Sequence, residues 1–78
     1  MPIQYKKNLA VFNGIVSVEE AEELLQWRQK NPKGKADFAG CTHLHAADLQ
    51  VLMATRMAVA AWPQDDNLKT WLTSALAH

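Results

Sequence analysis

The order of apolar and polar positions divides the chain into six segments. Ile3 to Tyr5 has the composition of a short strand, and Lys6-Lys7-Asn8 after it is a polar break of hairpin length. Leu9 to Val16, LAVFNGIV, is apolar and rich in β-branched and aromatic residues, which predicts a second strand. Asn13-Gly14 interrupts it as a bulge or ends it. Ser17-Val18-Glu19-Glu20 fits a capping box that opens a helix. Val18, Ala21, Leu24, Leu25 and Arg28 recur at helical spacing, and the first four are candidates for the core. Asn31-Pro32-Lys33-Gly34 stops that helix, and Ala36 to Cys41 is a third strand of small residues. A second helix is expected from Ala46 or Ala47 to Trp62, ended by Pro63. Asp65 or Asp66 then caps a last helix with Leu68, Trp71, Leu72, Ala75 and Leu76 on one stripe.

This pattern predicts one α/β domain spanning residues 1–78, in the order ββαβαα. Its mixed sheet of about three strands packs against the helices. The strand-helix-strand unit in its middle requires parallel strands and a right-handed crossover. Composition narrows the function. Eight basic residues balance eight acidic ones, so the chain lacks the basic excess that nucleic-acid binding or adsorption to anionic lipid demands. No stretch of about 18 apolar residues is present, so no membrane insertion is expected. The N-terminus has no apolar run of signal-peptide length. Cys41 is the one cysteine, which rules out an intramolecular disulfide and fits a reducing, cytoplasmic setting.

The segments also carry a likeness. Phe12 to Leu25, FNGIVSVEEAEELL, resembles the glycine-turn-helix of STAS domains, the family of bacterial anti-sigma factor antagonists. Ala36-Asp37-Phe38-Ala39-Gly40 resembles that family's apolar-Asp-Leu-Ser-Gly strand. Cys41-Thr42-His43-Leu44 stands where the family has a small apolar residue, a variable one and two large ones. Leu49-Gln50-Val51-Leu52 resembles the helix start Gly-Leu-Gln-Val-Leu. The resemblance runs over roughly residues 3 to 60. It implies a non-catalytic protein-binding module in signalling or transcription regulation, with a kinase-like anti-sigma factor as partner. It also implies that the turn and the following helix make the contact, here His43, His45, Ala46, Asp48, Leu49 and Met53.

Where the family has Asp-Ser-Ser/Ala-Gly-Leu, this chain has His45-Ala46-Ala47-Asp48-Leu49. The phosphorylatable serine falls on Ala46, so the usual phospho-switch is excluded. The further strand that the family carries after this helix is expected to be missing. A shortened sheet would then leave an open edge, and homodimerisation through it or through the alanine-rich helix becomes a second expectation. A small accessory subunit of a transport or chemotaxis system is the corresponding alternative function.

Two chemistries compete with a binding module. Cys41-x-His43-x-His45 would put three metal-ligating side chains on one side of an extended segment, with Asp48 or His78 as a fourth ligand. Zinc spacings commonly leave two or more residues between ligands, and no metal or other cofactor is expected. Cys41 with His43 or His45 has the elements of a thiolate-imidazole pair. Nothing in the sequence supplies an orienting third group, an oxyanion hole or a glycine-rich phosphate loop, so catalysis is not expected.

Overall fold

The strands run across one sheet in the order β1-β2-β3-β4. In the computed structural model, which describes residues 2–76, these are β1 (Ile3–Tyr5), β2 (Leu9–Val16), β3 (Lys35–Leu44) and β4 (Ala58–Ala61). The helices are α1 (Glu20–Lys30), α2 (Ala46–Thr55) and α3 (Asp66–Leu76). β1 is antiparallel to β2, and β2, β3 and β4 are mutually parallel neighbours. The α/β class and the mixed sheet are those the sequence predicts. Among the described residues no helix is long and apolar enough to cross a membrane.

Both crossovers, β2-α1-β3 and β3-α2-β4, step the same way across the sheet. Crossovers of one hand then place both helices on one face, and α1 and α2 pack together there. Register fixes which side chains they cover. Ile3 lies opposite Phe12, Tyr5 opposite Ala10, and Ala10 beside Ala36. All of these except half-buried Tyr5 are buried. The alternate set, Gln4, Leu9, Val11, Lys35 and Asp37, faces away from the helices and stays exposed or half-buried. The shortest dimension of the molecule, 19 Å, is that of two layers about 10 Å apart. Phe12 and Phe38, ring centroids 4.6 Å apart, form the centre of the single core. Leu24, Leu52, Leu68 and Leu72 close over them from the three helices. Each such fully buried side chain contributes about 1.5–3 kcal/mol.

Four local expectations change. The helix expected to reach Trp62 ends at Thr55. Arg56 turns left-handed (φ 53°), and Met57 N–H donates to Leu52 O at 3.1 Å. Residues 58–61 then pair with β3 as β4, so the strand expected to be missing after the second helix is present and the sheet has four strands. The unfilled edge of β3 outweighs the helix preference of alanine. The strand expected to end at Cys41 runs on to Leu44, because shifts in register against β2 let it bend and continue. The expected capping box does not form. Ser17 contributes its carbonyl to Glu20 N–H at 3.2 Å, and α1 has no side-chain cap. Finally, Val18, Leu25 and Trp71 are exposed rather than core residues. The inward stripe of α1 instead runs through half-buried Glu20, Ala21, Trp27 and Arg28, with Leu24 fully buried.

Asp65 does cap the last helix, its Oδ1 accepting from Leu68 N–H at 2.9 Å. Gly34 is fixed by a close approach: a Cβ there would lie 2.6 Å from the Trp27 ring, which packs in turn on Tyr5 with centroids 5.4 Å apart.

Candidate functional site

The carboxyl ends of β2 and β3 bring together the starts of α1 and α2. This is where open α/β sheets place their functional loops. Val16 O accepts from His45 N–H at 3.0 Å and ties the two ends together. His45 is the N-cap of α2. Its extended backbone (ψ 146°) lets the ring turn back so that Nδ1 accepts from Ala47 N–H at 3.0 Å. A histidine thus performs the capping role usually taken by Ser, Thr, Asp or Asn. It can do so only while Nδ1 carries no proton.

Among the six predicted contact residues, His43, His45, Ala46 and Met53 are exposed. Ala46, Gln50, Met53 and Ala54 recur at helical spacing on the outer side of α2 and form an uncharged stripe. Asp48 and Leu49 must be withdrawn from the predicted surface. Leu49 is 7% exposed and Asp48 0%, because the inward side of α2 passes through positions 48, 49 and 52. Sequence reasoning missed Ile15 and Val18, which are 68% and 52% exposed at the same end of the sheet. The signal for Ile15 was present. Counting by twos from Phe12 puts Val16 inside and Ile15 outside, and Ile15 lies beside His43 in the register.

Cys41, His43 and His45 do not converge. Cys41 is buried, and its Sγ donates to His43 O at 3.4 Å, while the two histidines are exposed. The shift in register between Gly14 and Ile15 breaks the alternation that would have put the three on one side. Burial pushes the Cys41 thiol up, which disfavours the thiolate needed by a ligand or nucleophile. Among the described residues no group of three His, Cys, Asp or Glu side chains is placed to hold a metal ion. His78, the other proposed fourth ligand, lies outside the described residues.

Beneath the exposed turn, Asp48 lies in the seam between the helices. Neither carboxylate oxygen has a hydrogen-bond donor among the described residues. Burial, and secondarily Glu20, push its carboxyl up to about 6. The Tyr5 hydroxyl is likewise buried without a partner. Burial raises the Tyr5 phenol further, followed by Glu23, Glu20 and Asp48.

Compared with family models, curated proteins and solved structures, the chain matches none. Its function is therefore argued from its own residues.

Proposed function

We propose that this chain is a STAS-like, non-catalytic protein-binding module of bacterial signalling or transcription regulation, with a kinase-like anti-sigma factor as the class of partner. The observation that carries the reading is the outer side of α2. Ala46, Gln50, Met53 and Ala54 form an uncharged stripe, continued at its start by exposed His43, His45, Ile15 and Val18. Solvent-facing helix sides are normally charged, and a cluster of exposed apolar side chains marks a contact surface. The strand β4 also supports the resemblance, since the family carries a strand at this place in the chain. Ala46, with no hydroxyl, makes the module constitutive at the usual phosphorylation position. The test is a pull-down of the partner with wild type, Ala46→Glu and a control, Thr73→Glu, on the exposed side of α3. Ala46→Glu is expected to lose the partner and the control to keep it. Equal capture by all three would remove the turn from the interface.

A second reading, self-association as an accessory or assembly subunit, draws on β4. It is an edge strand without a charged residue, and uncharged edges are open to pairing with another chain.

A further inference from the structure

The seam between the first turns of α1 and α2 holds an ionisable group in surroundings suited to a neutral one. Asp48 is the third residue of α2, where a carboxylate ordinarily reaches back to the N-cap N–H. That donor is taken, because His45 N–H donates to Val16 O at 3.0 Å. Ala47 N–H donates to His45 Nδ1 at 3.0 Å, and Asp48 N–H itself donates to His45 O at 3.0 Å. Both carboxylate oxygens are left without a donor among the described residues, on a side chain that is fully buried.

The ionisable groups around it offer no compensation. Glu20 of α1 acts on Asp48 directly. Cys41 of β3 and Tyr5 of β1 both feel its charge, and Glu23 acts on the same phenol. None of these is a cation, and no group of β4 or α3 among the described residues acts on Asp48. A buried anion with no donor, facing another carboxylate, either takes up a proton or moves toward water.

We propose that the first turn of α2 is a proton-operated latch: it packs shut against α1 while Asp48 is neutral and swings toward solvent when Asp48 loses its proton. The carboxyl, pushed up to about 6, places the change between mildly acidic and neutral pH. The proton released goes to solvent as the carboxylate becomes hydrated. His45 caps the same turn through Nδ1, and a proton on that nitrogen would remove the acceptor for Ala47 N–H. His45→Asn keeps a capping acceptor that does not titrate, so it isolates the part due to Asp48. The latch is a property of the free chain and does not rest on the proposed partner.

Amide hydrogen exchange of the full chain at pH 5 and pH 7.5, corrected for intrinsic exchange, reads the latch at residues 46–52. In the His45→Asn background, the opening equilibrium is expected to rise roughly tenfold between the two pH values, because the exposed carboxyl, with an ordinary value near 4, is already mostly ionised at pH 5 and the rise levels off above about 6. Adding Asp48→Asn is expected to abolish the rise. Glu20→Gln is expected to move its midpoint to lower pH, because Glu20 is one of the two causes that push the Asp48 carboxyl up; a midpoint moved to higher pH would contradict the latch. An equal opening equilibrium at both pH values would overturn the proposal, as would an undiminished rise in Asp48→Asn. Should Asp48→Asn fail to fold, the carboxyl carbon resonance of Asp48 in the unsubstituted chain decides: a titration coincident with the exchange transition supports the latch, and a carboxyl fully ionised at pH 5 overturns it.

Discussion

A carboxyl group held above its ordinary range keeps a proton that the unfolded chain has already released. Asp48, pushed up to about 6 by burial and by Glu20, does so between its unfolded value of about 4 and that point. The folded state binds more protons in this window, so the contribution of Asp48 to stability falls as pH rises from about 4 to about 6 and is level above. Asp48→Asn removes the titration and is expected to stabilise the protein at pH 8 by about 2–3 kcal/mol relative to wild type. The difference should shrink toward pH 4. Urea unfolding of both chains at pH 4.5, 6 and 8 checks this, and a variant less stable at pH 8 would contradict it. Arg56 supplies an independent prediction. It holds a left-handed conformation (φ 53°) at the end of α2, where a side chain costs roughly 1–2 kcal/mol. Arg56→Gly is expected to raise stability by about 0.5–1 kcal/mol, part of the gain being offset by the freer unfolded chain. Thermal unfolding measures it.

The seam between α1 and α2 is closed at its far end by Arg28. Its Nη2 donates to Thr55 O at 3.2 Å and its Nη1 to Asn31 O at 3.5 Å, so one guanidinium serves the carboxyl ends of both helices. Arg28→Met keeps much of the packing but leaves Thr55 O without this donor, and is expected to cost about 1–3 kcal/mol in unfolding experiments. The helical spacing of α1 was visible in the sequence and placed Ala21 and Leu24 correctly on the inward side, but not Val18 and Leu25. Val18 and Leu25 are the larger apolar residues, whereas the inward side runs through Glu20, Trp27 and Arg28. The reason is that Trp27 must lie over Gly34 and Tyr5, a tertiary demand that no local pattern records. The hairpin, the parallel β2–β3 pair and the Asp65 cap were legible because each rests on local chemistry. β4 was not legible, since Ala58-Val59-Ala60-Ala61 suits a helix locally and becomes a strand only beside β3. The candidate site was readable as a place in the chain, the turn from His43 to Ala46. Its inner and outer residues separate only once α2 is docked, which turns Asp48 and Leu49 inward.

At the scale of the whole molecule, a two-layer domain covers one sheet face with helices and leaves Gln4, Leu9, Val11, Lys35 and Asp37 on the other. The two surfaces proposed for partners are the outer side of α2 with the adjoining turn, and the sheet's uncharged β4 edge. Pairing through that edge would appear as a rise in mass with concentration in light scattering, suppressed by Ala60→Lys. A monomer at high concentration would remove that reading while leaving the α2 surface untouched. The proposed function rests on the α2 surface. Its most direct test is a backbone amide resonance map of the labelled domain titrated with the kinase-like partner. The predicted result is perturbation centred on Ile15, Val18, His43, His45, Ala46, Gln50 and Met53, with the open sheet face and the outer side of α3 unchanged. Perturbation centred on β4 or on the open face, with the α2 turn silent, would contradict the account.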